Sequence, residues 1–231
     1  MKSTSRDIAS NQEGIHEDLE KIVRRHLDHE FKKPVAEHNA KAYANAIAQV
    51  NRAALIFDSG CGNGNSTLAL AKQFPEAYII GIDKSACRIG KQATTSISAS
   101  DTMLICGNNY CIVRADLLDF WRLASNDNIK LLRHFILYPN PWPKKHHLQR
   151  RWHGSPVYRQ ILSLGGALEL RSNWPIYLQE FAAALALSGY HCEPHKLDID
   201  PARPISDFES KYHDSGHTLW QLKVNLDIDS T

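Results

Sequence analysis

The chain lacks nearly everything that would tie it to a membrane, a secretory route or a disulfide scaffold. None of its 231 residues falls in an apolar run approaching the ~20 positions that a membrane-crossing helix needs. The opening MKSTSRDIASNQEG is polar and has no signal-peptide core, so a cytoplasmic setting is expected. There are only five cysteines, Cys61, Cys87, Cys106, Cys111 and Cys192, an odd count with no C-x-x-C spacing. Such thiols read as small reduced residues of the interior. The twelve histidines contain no H-E-x-x-H, and adjacent His146 and His147 do not readily present one face, so no metal site is expected. A strong excess of one charge is missing too. The net charge of +2 does not mark a nucleic-acid binder in bulk.

With 43% hydrophobic and 23% charged residues, the chain is an ordinary globular protein, long enough for a full α/β core. Residues 1–14 read as loosely attached. Leu19, Ile22, Val23 and Leu27 recur at helical spacing over 16–27, and a second, alanine-rich helix is expected over roughly 36–50. Residues 1–50 therefore form an N-terminal helical arm and 51–231 a main domain. In that domain, expected strands at 54–58, 77–83, 110–116, 134–140, 166–173 and 217–226 alternate with helices at 66–74, 85–98, 117–124, 156–164 and 176–188. That alternation predicts a mostly parallel sheet covered on both faces.

DSGCGNG (58–64) directly follows the first strand and opens a helix. Its glycines allow a sharp turn and close approach of backbone to a ligand, and the helix start supplies free N–H groups. A dinucleotide fingerprint needs G-x-G-x-x-G, whereas Gly60, Gly62 and Gly64 are spaced one residue too tightly. Asp58 would repel a pyrophosphate and suits a ligand carrying ammonium and sulfonium charge. Asp83 closes the second strand, placed to accept from two ribose hydroxyls, and Asp116 closes the third, near an adenine amine. Each acid is also a possible helix N-cap.

The order D-S-G-C-G-x-G, G-I-D and A-D resembles the Rossmann-like methyltransferases that use S-adenosylmethionine. YPNPWPKKHHLQRR (138–151), RSNWPIYLQEF (171–181) and RPISDFESKYHDSGHTLWQL (203–222) resemble, in order, three segments of the bacterial tRNA (guanine-N7) methyltransferase family. The resemblance implies a class I fold with a seven-stranded sheet and S-adenosylmethionine as cofactor. It implies tRNA as partner and methyl transfer to guanine N7 as the activity. It assigns Asp58, Gly60, Gly62, Asp83, Asp116 and Asn140 to the cofactor, with Asn140 and Lys144 at the reacting centre. Lys144, Asn173 and Ser206 through Glu209 fall on substrate-contacting positions, and Arg150 and Arg151 on tRNA phosphates. A second basic group, Lys21, Arg24, Arg25, Lys32 and Lys33, extends that surface or is only a solvated face.

Asn140 and Asn173 stand where the family carries Asp. A carboxylate accepts from both N1–H and N2–H₂ of guanine, and an amide cannot repeat that pairing. Two alternatives follow: a methyltransferase of this fold acting on another base or a small molecule, and an RNA-binding relative without catalysis. Methyl transfer to an imine nitrogen needs no strong base, so no nucleophile with its own activating base is expected.

Overall fold

The computed structural model describes residues 5–51, 53–90 and 103–227. Among the described residues eight strands form one sheet: β1 (Ala54–Ser59), β2 (Ala77–Asp83), β3 (Leu104–Cys106), β4 (Tyr110–Arg114), β5 (Arg133–Leu137), β6 (Ala167–Ser172), β7 (His195–Lys196) and β8 (Trp220–Asn225). Their spatial order is β3-β4-β2-β1-β5-β6-β8-β7. The run β4-β2-β1-β5-β6 is parallel, and β3, β8 and β7 pair antiparallel at the two sides. That is one strand more than the seven implied by the resemblance and two more than the six read from apolar runs, the additions being β3, which forms a hairpin with β4, and β7. The short β3 and β7 escape a reading based on apolar runs.

Helices α1 (Leu19–Asp28), α2 (Glu37–Ile47), α3 (Asn65–Gln73), α4 (Ala86–Ile89), α5 (Leu117–Asn126), α6 (Tyr158–Ser163), α7 (Pro175–Ala186) and α8 (Asp207–Asp214) complete the fold. The helix expected over 85–98 starts as α4, and its part beyond residue 90 lies outside the described residues. Two 3-10 turns, Lys145–Arg150 and Trp152–Gly154, follow the proline-rich segment.

Strand alternation divides the interior in two. Leu55, Phe57, Ile80, Ile82, Val113, Ile136 and Leu170 point to one face and pack with buried residues of α1, α2, α5, α6 and α7. Ile56, Ile79, Phe135 and Leu137 point to the other, against Leu70 and Ala71 of α3. A Cβ at Gly81 of β2 would strike the Thr67 hydroxyl, so glycine there lets α3 sit close on the sheet.

The first fifty residues are not a separate arm. Leu19, Val23, Ala42, Tyr43 and Ala46 belong to the same core as the sheet. Nor are residues 5–14 loose. Gln12 is buried and its Nε2 donates to Glu180 Oε1 at 2.6 Å. Ser10 Oγ donates to the Pro143 carbonyl at 2.7 Å, and Ser5 N–H donates to Ser215 Oγ at 2.8 Å. The polar composition that suggested looseness is used for hydrogen bonds to distant parts of the chain.

Three buried titratable groups set the acid response. Burial lowers His134 to about 3, against ~6.5 in an unfolded chain. Its stabilisation is complete above the unfolded value and is lost as pH falls towards 3. Glu180 stays ionised down to about 2: burial opposes this, but the hydrogen bond from His153 and the charges of His153 and Arg151 outweigh it. Its contribution is lost as pH falls from the ordinary 4.5 towards 2. Asp58 acts in the opposite sense, because burial raises it from 3.8 to about 6, so its cost disappears as pH falls through that window. Unfolding free energy measured in urea is therefore expected to fall gently between pH 6 and 3.8 and steeply below 3.8, where Asp58 no longer opposes the loss. A steepest fall above pH 6 would show that other groups control acid stability.

Candidate active site

The chain turns sharply at the carboxyl end of β1. Gly60, Gly62 and Gly64 have φ of 84°, 63° and 87°, the left-handed region that other residues avoid. A Cβ at Gly60 or Gly62 would meet nothing within 4 Å, so this backbone is open to a ligand. Asp83 ends β2 with its carboxylate almost wholly buried. It accepts from Gly62 N–H at 3.0 Å and Ser85 N–H at 2.8 Å, and Arg88 lies 3.0 Å away. Asp116 caps α5 through Leu118 N–H at 2.9 Å and also lines the cavity.

Asp58 differs from the expectation. It does not line the cavity. One oxygen accepts from Ser66 Oγ at 2.6 Å and Thr67 Oγ1 at 2.7 Å, which ties the start of α3 to β1. Its other oxygen is buried without a hydrogen-bond partner among the described residues. Asp58 therefore fixes the turn between β1 and α3 instead of facing the cavity.

A cavity of about 630 Å³ runs from Ser59, Gly60 and Asp83 to Asn140, Trp142, Arg150, Phe208 and Tyr212. Its wall from Leu137 to Trp142 is strained, since Tyr138 and Trp142 have φ of 50° and 47°. Such residues cost about 1–3 kcal/mol each and persist only where surroundings enforce them. Tyr138 is enforced by its hydroxyl, which donates to Glu209 at 2.8 Å, and by its N–H, which donates to the Arg171 carbonyl at 2.8 Å. Trp142 is enforced by Arg151, whose Nε and Nη2 donate to its carbonyl at 3.2 and 3.0 Å. Arg150 covers the Trp142 ring at 4.7 Å. Asn140 is exposed on this wall.

The two neighbouring arginines have opposite fates. Arg150 is exposed at the cavity mouth, whereas Arg151 is fully buried and paired with Glu180 and Gln12. Arg151 therefore cannot meet a phosphate, which corrects the expectation for it. The 3-10 turn directs one side chain outward and the next inward, where Glu180 of α7 also accepts from His153 at 2.9 Å. Lys144 is exposed and does not line the cavity. In the second basic group, Arg24 pairs with Glu20 at 2.8 Å, and Arg25 donates to Gln149 at 3.0 Å, joining α1 to the 144–151 segment.

Glu209 is another correction to direct substrate contact. It is buried, its carboxylate is paired with Arg171 at 2.7 Å, and it accepts from Tyr138 and Ile205. Ser206 caps α8, accepting from Glu209 N–H at 3.2 Å. Both residues position the wall without facing the cavity. Asn173 also stays outside the cavity lining, where its Nδ2 meets His217 Nδ1 at 3.1 Å. The sequence reading missed helix α8; within the span from Ser206 to Glu209 it is the exposed Phe208 that reaches the cavity, beside Tyr212. The S-x-x-E spacing at Ser206 was the available signal for that helix start. Among the described residues no group of three or more His, Cys, Asp or Glu is placed to hold a metal.

An open glycine turn, a buried strand-end carboxylate and a cavity within the ~300–1,000 Å³ of small-molecule sites fit an adenosyl cofactor. The strand order and this pocket define a class I methyltransferase, with S-adenosylmethionine as its methyl donor. The chain belongs to the family described as putative methyltransferases, which it matches over residues 52–222. It is 28% identical over 174 residues to a tRNA (guanine-N(7)-)-methyltransferase of Shewanella piezotolerans, covering 72% of this chain and 70% of that one. It is 26% identical over 177 residues to the protein of the same name from Psychromonas ingrahamii, covering 74% and 70%. In fold it is similar to an antibiotic-related methyltransferase, with a TM-score of 0.52 at 16% identity over 84% of this chain and 95% of that one. A 16S rRNA (adenine(1408)-N(1))-methyltransferase from Catenulisporales acidiphilia gives 0.53 at 17% identity over 87% and 95%.

Proposed function

We propose that the protein transfers a methyl group from S-adenosylmethionine to N7 of guanine in tRNA. The observation that carries this reading is the continuity of the cavity. Its inner part, at Gly60 and Asp83, suits the cofactor, and its outer part, at Asn140, Trp142, Arg150 and Phe208, is flat, aromatic and cationic at the rim. An extruded base enters such a mouth face-on, and aromatic contact with a base is worth ~1–3 kcal/mol. The names of the curated relatives support tRNA as the nucleic acid. Lys144 and Arg150, both exposed, are assigned to its phosphates. Among the described residues no helix is long and apolar enough to cross a membrane, and a tRNA substrate is in keeping with a cytoplasmic setting.

On this reading the chain's own groups position rather than activate. Asp83 and the glycine turn hold the donor, and the wall from Tyr138 to Trp142 aligns the acceptor with the donor carbon. The bound donor would supply the methyl group to the free lone pair of guanine N7 as its carbon–sulfur bond breaks and the neutral thioether leaves, and desolvation and alignment by these residues would supply the acceleration. The product base is cationic, and Asn140 offers it a dipole where an acid would offer a charge. Asn140→Asp is therefore expected to raise kcat/KM on tRNA about tenfold, or ~1.4 kcal/mol. Labelled S-adenosylmethionine incubated with unmodified tRNA, followed by nucleoside analysis, tests the whole reading. Label in 7-methylguanosine supports it. Label in another nucleoside moves the acceptor to another base, which the amide of Asn140 favours, and no label in tRNA overturns it.

A further inference from the structure

We propose that Cys106 and Cys111 form a redox-active dithiol, in which hydrogen peroxide oxidises exposed Cys106 and buried Cys111 then closes a disulfide. The two residues face each other across the β3–β4 hairpin, in the register Cys106↔Cys111. Gly107 N–H donates to the Tyr110 carbonyl at 2.9 Å, and Arg114 N–H donates to the Met103 carbonyl at 3.0 Å. Hydrogen-bonded and non-hydrogen-bonded pairs alternate along an antiparallel ladder. Counting between those two bonds puts Cys106 and Cys111 in a non-hydrogen-bonded pair, where side chains approach most closely. Cα atoms in such a pair lie ~4.5 Å apart, inside the ~4.4–6.8 Å that a disulfide spans.

The two thiols have different environments. Cys106 is exposed and Cys111 is buried in the core. The neighbouring Cys111 thiol draws Cys106 below its ordinary thiol range, and Cys111 is held above that range by Cys106 and by its burial. Cys106 is thus the group available as a thiolate, and Cys111 is the resolving thiol beside it.

The chemistry closes on these two residues and one oxidant. The Cys106 thiolate attacks the peroxide, forming an S–O bond and breaking O–O. The released hydroxide takes the proton that Cys106 had lost and becomes water. The Cys111 sulfur then attacks the sulfenic sulfur of Cys106, S–S forms and S–O breaks. The leaving hydroxide takes the Cys111 proton as a second water. Two thiols and one peroxide give one disulfide and two waters.

The hairpin is connected to the pocket. Ile105 and Ile112, one position along from the two thiols, pack with Cys61 of the glycine turn and Ile89 of α4. Arg114 at the end of β4 pairs in register with Asp83.

The test uses the full chain and hydrogen peroxide, with Cys87 as an exposed reference thiol. At neutral pH, iodoacetamide is expected to alkylate Cys106 several-fold faster than Cys87, and Cys111→Ser is expected to remove that advantage. After peroxide, mass spectrometry of the peptide holding both thiols is expected to show two hydrogens lost and no alkylation, both reversed by dithiothreitol. Exposed Cys106→Ser, which leaves the core intact, is expected to abolish the change and leave Cys111 reduced. Oxidation of Cys106 to sulfinic acid in the wild type with Cys111 still alkylatable on unfolding would overturn the proposal. Equal alkylation of Cys106 and Cys87 with no peroxide-dependent mass loss would overturn it as well.

Discussion

Arg151→Ala is expected to cost about 3–5 kcal/mol of stability, because it leaves a buried carboxylate without its cation. Both side chains of the Arg151–Glu180 pair are wholly excluded from solvent. Glu180 would keep only Gln12, His153 and the His16 N–H as partners, and its charge would no longer be balanced by a guanidinium. The same change removes the donors to the Trp142 carbonyl, so the strained wall of the cavity relaxes too. Urea unfolding at neutral pH measures the first effect, and kcat at saturating cofactor measures the second. Arg150→Ala, one position earlier, is expected to leave stability within about 0.5 kcal/mol, as exposed surface changes do. It is instead expected to lower the salt dependence of RNA binding by about one phosphate contact. Stability unchanged in Arg151→Ala, or a salt slope reduced equally by both substitutions, would return Arg151 to the RNA surface.

This pair shows where sequence reasoning reaches its limit. Arg150 and Arg151 are equivalent in a linear reading, and both fall in one basic run. What separates them is a 3-10 turn that aims one side chain inward and a glutamate 29 positions later on α7. Glu209 repeats the lesson, since its partners Arg171 and Tyr138 come from β6 and the end of β5. By contrast, the central strands, the glycine turn and Asp83 were legible. They depend on short apolar runs, on left-handed backbone that only glycine tolerates easily, and on position at a strand end, all of which are local. Polar residues 5–14 misled for the opposite reason, because their hydrogen bonds are made more than a hundred residues away.

Asp83→Ala is expected to weaken S-adenosylmethionine binding by about 30- to 150-fold, or ~2–3 kcal/mol, the loss of a charge-assisted hydrogen-bonded contact in a desolvated site. The carboxylate is 3% exposed, lines the cavity and receives the Gly62 N–H, so it fixes the turn and is placed to meet a ligand. Asp83→Asn separates these roles. The amide oxygen can still accept from Gly62, but it cannot accept charge-assisted bonds from two ribose hydroxyls, so affinity is expected to fall nearly as far. Arg88 provides the control. It lies 3.0 Å from Asp83 Oδ1, with 44% of its side chain exposed, and it competes for the oxygen that a ribose diol needs. Arg88→Ala is therefore expected to tighten binding by a few-fold, since the carboxylate becomes free and a cation leaves the neighbourhood of a sulfonium ligand. Calorimetry on the three variants decides between the roles. Unchanged affinity in Asp83→Asn together with a large loss in Asp83→Ala would make Asp83 a support for the glycine turn alone. Weaker binding in Arg88→Ala would make Arg88 a ligand contact instead of a competitor.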